Sequence, residues 1–278
     1  VQTLWHYPSP NWKLHKALSY PLAKYTSETE RNGYFYTFQF IMGKNKLRHF
    51  AEMKEQSCVF EPEKEVLIED QFEIKGKWAA FFGNDNPITI ELGCGKGEYT
   101  LALARKYPER NFVGLDVKGA RIWRGSKTAE EEGLLNVAFV RIKIEFVNFV
   151  FDFNEISQIW LTFSDPQIKD KKGTKRLSGW AFLFRYGKLL KNDGMIHVKT
   201  DSQIFYDSTL ETIEKGEHHL LKSNGDIYGE GWKEFNEEEQ EILVVKTFYE
   251  EKWLAIGKKI KYLRFKLNDS HYQDIWEE

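Results

Sequence analysis

From residue 87 onward, apolar residues in this chain follow two alternating rhythms. Short apolar runs of strand length, "PITIEL", "NFVGLDV", "NVAFVRI", "SQIWLTFSDP" and "MIHVKTD", are separated by longer amphipathic stretches. "KGEYTLALARKYP" carries Tyr99, Leu101, Leu103 and Ala104 near helical spacing, and Pro108 marks its end. "KGARIWRGSKTAEEEGL" predicts a helix closed by Gly133, and "EFVNFVFDF" predicts another. "SQIWLTFSDP" is a strand that must stop by Pro166, which has no N–H to donate. "WAFLFRYGKLLKNDG" predicts a helix stopped at Asn192-Asp193-Gly194, and "QIFYDSTLETIEKG" a further one. "EILVVKTFY" and "KIKYLRFKL" predict closing strands, with "EEKWLAIG" between them. This alternation predicts an α/β, Rossmann-like fold whose mainly parallel seven-stranded sheet has helices on both faces.

Residues 1–41 break the pattern. They are rich in aromatics and show neither period, whereas Met42 opens "MGKNKLRHFAEM", which reads like a natural start. The expected organisation is an N-terminal extension, a mis-called start or a flexible arm over 1–41, and one domain over 42–278.

Composition narrows the class. The chain has 278 residues, 41% hydrophobic and 29% charged, the profile of a globular protein with a sizeable core. No apolar run approaches a membrane span, and the first twenty residues lack a signal-peptide core. Cys58 and Cys94 form no CxxC, which argues against a disulfide framework or a zinc site and fits a reducing cytoplasm. The seven histidines show no ligand spacing, and the adjacent His218 and His219 read as ordinary strand or loop residues, so no metal is expected. A net charge of −2 gives no global case for a polyanionic partner; any such case must come from local patches.

The candidate chemistry starts at "ELGCGKGEY". Gly93, Gly95 and Gly97 follow the first strand, where ligands sit in open α/β sheets, and should bring backbone N–H groups close to a ligand. A P-loop would need Ser or Thr after Lys96, and the chain has Gly97; a dinucleotide turn would need GxGxxG, and the chain has GxGxG. The remaining reading is a turn for S-adenosylmethionine, with Glu91 two residues before the first glycine pairing with the cationic amino-acid end of the cofactor. Asp116 ends the next strand, nineteen residues beyond Gly97, where a carboxylate can accept both ribose hydroxyls of an adenosine. That position suits S-adenosylmethionine and NAD alike.

A second constellation lies in "WLTFSDPQIKDKKGTKR". Asp165 stands at the carboxyl end of its strand and can accept hydrogen bonds from a base edge. Lys169, Lys171, Lys172, Lys175 and Arg176 follow it and can hold phosphates, although such a run taken alone is more often a solvated loop. "HVKTD" opens Asp201 toward the same edge, or Asp201 caps the next helix. "TFYEEKWLAIGKKIKYLRF" adds Thr247 and Glu250, then Lys258, Lys259, Lys261 and Arg264.

Together, "ELGCGKGEYTLALARKYP", "NFVGLDVKGARIW", "IWLTFSDP", "GKLLKNDGMIHVKTD" and "TFYEEKWLAIGKKIKYL" resemble the bacterial tRNA (guanine-N7-)-methyltransferase family, from about Met42 to Phe265. The resemblance implies a class I methyltransferase fold, S-adenosylmethionine as cofactor, tRNA as partner, a monomer or homodimer, and the variable-loop guanine at tRNA position 46 as target. It places cofactor contacts on Glu91, the three glycines, Asp116 and Asp165, and substrate contacts on Lys169, Asp201, Thr247, Phe248, Tyr249 and Glu250. Two positions depart from the family pattern. Gln167 and Ile168 stand where Trp and Pro are usual, and Lys143 stands where Asp or Asn is often found near the adenine. The chemistry needs no general base, because guanine N7 carries a free lone pair. Asp165 is the candidate catalytic residue, aligning the base and favouring the developing positive charge, with Asp201 a second candidate for the same work. Two other classes remain open on sequence alone: a non-catalytic RNA-binding protein on a methyltransferase scaffold, and an NAD-dependent oxidoreductase.

Overall fold

The computed structural model describes residues 44–168 and 174–268. The extension at 1–41 therefore lies outside the described residues, as do Lys169, Lys171 and Lys172. In chain order the elements are α1 (Lys44–Glu55), β1 (Val59–Phe60), α2 (Lys64–Ile68), α3 (Trp78–Phe82), β2 (Ile88–Leu92), α4 (Glu98–Lys106), β3 (Asn111–Asp116), α5 (Gly119–Glu131) and β4 (Val137–Arg141). Then follow β5 (Ile156–Thr162), α6 (Trp180–Leu189), β6 (Leu190–Thr200), α7 (Gln203–Lys215), β7 (His219–Asn224), α8 (Glu237–Leu243), α9 (Phe248–Ala255) and β8 (Lys261–Lys266).

The strands form one sheet in the order β1-β4-β3-β2-β5-β6-β8-β7. It is parallel from β1 to β6, and β8 runs antiparallel to both of its neighbours. Among the described residues the sheet has eight strands rather than the expected seven: one expected strand, "EILVVKTFY", does not join it, while β7 and the two-residue β1, which pairs Val59 and Phe60 with Phe139 and Val140 of β4, are added.

Each central strand is buried on both faces, and its alternation sorts side chains between two cores. Ile88, Ile90 and Leu92 of β2, Val113 and Leu115 of β3, and Ile159 and Leu161 of β5 join one cluster with Trp78, Leu183 and Tyr186. Phe112, Phe139 and Trp160 point the other way, into a cluster with Tyr99, Leu103 and Ile122. The first cluster is anchored by Trp78, whose indole N–H donates to the Val150 carbonyl at 3.0 Å.

Three predicted elements come out differently. "EILVVKTFY" is not a strand. Asn236 and Glu239 form a reciprocal capping box and Glu237, Glu238 and Glu239 fill the first turn, so α8 forms and ends at Leu243. "EFVNFVFDF" is a 3-10 helix over Ile144–Phe149. Asn192-Asp193-Gly194 does not end α6, which stops at Leu189. Those residues fall inside β6, where pairing with β5 jumps from Leu190–Ile156 to Met195–Gln158.

Candidate active site

The sheet order reverses between β2 and β5, and a cleft of about 1090 Å³ opens outside the carboxyl ends of the strands there. Gly93 after β2, Asp116 and Val117 at the end of β3, Ile142 to Glu145 after β4, Phe163 to Ile168 after β5 and Asp201 after β6 all line it. Tyr249 and Trp253 of α9 and Lys258 close the side beyond β6.

The first N–H groups of the glycine turn are engaged within the chain. The N–H groups of Gly93 and Cys94 both donate to the Leu115 carbonyl, at 2.8 and 3.0 Å, and that of Gly95 donates to Asp116 Oδ2 at 3.0 Å. The turn is thereby tied to β3, and its contribution to the cleft is space. Gly93 has φ +80°, and a Cβ there would meet nothing within 4 Å, so the bare backbone forms the wall. Gly97 has a packing reason: a Cβ would lie 2.5 Å from the Phe139 ring.

Asp116 is held as an acceptor. Besides Gly95, the Lys118 N–H donates to its Oδ1 at 2.7 Å, and each oxygen keeps a second lone pair for a ligand. Glu91 behaves differently. Its carboxylate sits beneath the turn and is not part of the cleft lining. Oε2 accepts from the Thr100 N–H at 3.0 Å and from the Thr100 hydroxyl, while Oε1 accepts from the Thr162 hydroxyl. Burial raises its pKa to about 7, even though three hydrogen bonds from the two threonines favour the ionised form. Glu91 thus ties β2 to β5 and to the first turn of α4.

Asp165 is exposed and lines the cleft. Its Oδ1 accepts from the Gln167 N–H at 2.9 Å, and Oδ2 makes no hydrogen bond among the described residues. Phe163 (φ +49°) and Gln167 (φ +47°), on either side, occupy the left-handed region that side chains ordinarily avoid. Such strain, about 1–3 kcal/mol per residue, persists where surrounding bonds enforce it. Here the Phe163 N–H donates to the Lys199 carbonyl at 2.8 Å. The Arg176 guanidinium donates to the Pro166 carbonyl at 2.9 Å and to that of Gln167 at 3.4 Å. Arg176 therefore braces the loop rather than standing free for phosphate.

Lys118, Arg121, Lys143, Lys175 and Lys258 also line the cleft. Of these, Lys175 and Lys258 stand out in the sequence as parts of basic runs. The signal for Lys118 and Arg121 is their place just past Asp116, entering α5. Lys258 donates to Asp201 at 2.6 Å and sits 3.8 Å from the Trp253 ring centroid. Asp201 does not cap α7; Ser202 does, accepting from the Phe205 N–H.

At the Thr247–Glu250 element the structure separates the predicted residues. Tyr249 lines the cleft, and the Arg121 guanidinium donates to its hydroxyl at 3.2 Å. Phe248 is 56% exposed on the rim, with Lys96 over its ring at 5.4 Å. Thr247 is the buried N-cap of α9. Glu250 is not brought to the cleft at all: it is fully buried and paired with Lys199 at 2.8 Å.

A family model described as "Putative methyltransferase" matches residues 85–263. A tRNA (guanine-N(7)-)-methyltransferase of Christiangramia forsetii is 50% identical over 225 residues, spanning 81% of this chain and 98% of that relative. This chain belongs to the tRNA (guanine-N7-)-methyltransferase family. Another member, from Bacteroides thetaiotaomicron, is 45% identical over 227 residues, covering 81% of this chain and 87% of its own. Among solved structures, the 16S rRNA methyltransferase KamB superposes with a TM-score of 0.52 at 13% identity, over 69% of this chain and 93% of that one; the likeness is one of fold. Membership settles the α/β, class I methyltransferase reading of the sheet. The described residues contain no helix long and apolar enough to cross a membrane and no group of three or more His, Cys, Asp or Glu side chains suited to a metal ion.

Proposed function

We propose that the protein transfers the methyl group of S-adenosylmethionine to N7 of guanine in tRNA, and that the target is the variable-loop guanine at position 46. The observation that carries this reading is the cleft itself. Asp165, an exposed carboxylate, lines it together with Gly93 of the glycine turn, and five cationic side chains line the same walls beside the carboxylates of Asp116, Glu145 and Asp201. A polyanion is drawn to such a rim, while one base inserts to meet the acid.

The walls suit the cofactor. The backbone at Gly93 leaves room for close approach, Asp116 presents two anchored acceptors for ribose hydroxyls, and Val117 and Ile142 offer an apolar edge to the adenine. S-adenosylmethionine supplies a methyl group already activated by the positive charge on sulfur. What remains for the chain is alignment and charge. Asp165 Oδ2 accepts from the guanine N1–H and its exocyclic amino group, a pairing that adenine cannot offer. The same carboxylate stabilises the positive charge that reaches the purine as N7 gains its methyl group, an interaction stronger in the transition state than in the ground state. No proton has to leave N7, so no general base is required. Lys118, Arg121 and Lys175 take backbone phosphates, with Asp201 and Tyr249 bordering the inserted nucleotide.

Incubating the protein with methyl-labelled S-adenosylmethionine and unmodified tRNA, followed by nucleoside analysis, tests the chemistry. Label in 7-methylguanosine is expected. Label in any other nucleoside, or none in the presence of tight cofactor binding, would refute it.

A further inference from the structure

Lys199 is the lysine of "HVKTD" and has no part in the chemistry above, yet it is one of the most completely buried side chains in the protein. All three of its protons are used. Nζ donates to the carbonyls of Leu243 and Val245, at 2.7 and 2.9 Å, and pairs with Glu250 at 2.8 Å. Glu250 Oε1 also accepts from the Tyr228 hydroxyl at 2.6 Å. Both charged side chains are 0% exposed. Burial pushes the Lys199 amine down to about 8, against the pull of Glu250 in the other direction. A buried charge pair of this kind is a poor source of net stability, so a role in fixing geometry deserves to be asked of it.

Its placement gives that role. Lys199 lies two residues before Asp201, on β6. Glu250 follows Tyr249 directly and precedes Trp253 by three, on α9. Asp201, Tyr249 and Trp253 all line the cleft. The two carbonyls that Lys199 holds belong to the end of α8 and the loop leading into α9. At the helix start, Thr247 caps the Glu250 N–H at 3.2 Å and Glu98 accepts from the Phe248 N–H at 2.8 Å. The Lys199 bonds tie α9 and the loop before it to β6, the Glu98 bond ties the start of α9 to α4, and the Thr247 cap fixes its first turn.

We propose that the buried Lys199–Glu250 pair positions α9 at the cleft, so that both are positioning residues for tRNA and Glu250 does not itself touch the nucleotide. This rests on the functional reading above. It assigns Glu250 a different task from its neighbour Tyr249, although the two are adjacent in one short element.

The test compares Lys199→Met, Glu250→Gln, Glu250→Ala and the double variant Lys199→Met/Glu250→Leu in the full chain. Each is measured for tRNA dissociation constant, KM and kcat for tRNA, S-adenosylhomocysteine affinity by calorimetry, and thermal midpoint. Glu250→Gln keeps an acceptor for Lys199 and Tyr228 and is expected to stay within about threefold of the unaltered chain in tRNA affinity. Lys199→Met and Glu250→Ala are expected to weaken tRNA binding and raise KM about tenfold or more, since small misplacements of binding groups are costly. S-adenosylhomocysteine affinity should move less than about twofold, because Gly93 and Asp116 belong to other strands. If Lys199→Met does not fold, the double variant, which leaves no lone buried charge, carries the test and is expected to fold with the same tRNA defect. Wild-type tRNA affinity in a folded Lys199→Met or double variant would overturn the proposal. So would a Glu250→Gln defect as deep as that of Glu250→Ala, which would put Glu250 on the nucleotide. Failure of the unaltered chain to methylate tRNA would instead strike the functional reading, and the binding comparison separates the two.

Discussion

Replacing Glu91 by glutamine should remove a specific pH dependence from the stability of the fold. Burial holds this carboxyl at about 7, against 4.5 for an ordinary glutamate. Between those values the native state keeps a proton that the unfolded chain has already released. Stability is therefore greatest below the unfolded value, falls as pH rises through the window, and levels off above about 7. At about 1.4 kcal/mol for each pH unit, the loss across the window is about 3 kcal/mol. Glutamine has nearly the same shape and preserves the bonding: its oxygen accepts from the Thr100 N–H and hydroxyl, and its NH2 donates to the Thr162 hydroxyl. It has no proton to lose. Denaturant unfolding of both chains from about pH 4.5 to about pH 8 provides the assay, since all other titrating groups contribute alike to the two and cancel in the difference. The stability of Glu91→Gln relative to the parent is expected to climb by about 3 kcal/mol over that range. A difference that stays constant with pH would refute the inward placement of Glu91 beneath the glycine turn.

Other consequences follow from the same geometry. Asp165→Ala should lower kcat about 10²–10³-fold with an unchanged thermal midpoint, because the side chain is exposed and its interaction belongs to the transition state; near-normal turnover would remove Asp165 from the mechanism. Asp116→Ala should weaken S-adenosylhomocysteine binding about 10–100-fold by calorimetry, since ribose acceptors and the anchors for the Gly95 and Lys118 N–H groups vanish together. Gly97→Ala should cost about 2–4 kcal/mol in denaturant unfolding, from a Cβ 2.5 Å from Phe139 and a φ of +70°, and Gly97→Ala/Phe139→Leu should recover part of it. Affinity for tRNA should fall steeply with salt, with a log–log slope of about −3 to −5 if the cationic lining of the cleft meets phosphates; a flat response would argue against that contact.

The parts of this protein that follow from periodicity were legible in the sequence, and the parts that depend on tertiary partners were not. The strands from β2 to β6 are apolar runs bounded by turns, and the helices α4, α5 and α7 end where proline or glycine stands, so pattern alone places them. "EILVVKTFY" misleads because its apolar run is short enough for either state, and the decision falls to the capping box of Asn236 and Glu239 upstream. The edge strands β1 and β7 are short or partly polar and exist through pairing with β4 and β8, which no local signal announces.

At the site, the residue types were visible and their orientations were not. Asp116 and Asp165 lie in the cleft lining. Glu91 and Glu250 turn inward, because Thr100 and Thr162 in one case and Lys199 and Tyr228 in the other supply partners from distant segments. Arg176 reads as a phosphate ligand within a basic run, yet the Pro166 and Gln167 carbonyls ten and nine residues earlier hold it against their loop.

The central claim concerns one atom of one nucleotide, and site-resolved chemistry tests it directly. A tRNA transcript carrying guanine at position 46, treated with the protein and S-adenosylmethionine, then reduced with borohydride and cleaved with aniline, should break at position 46, and a transcript with adenine there should stay intact. Cleavage elsewhere, or none despite cofactor binding, would contradict the account.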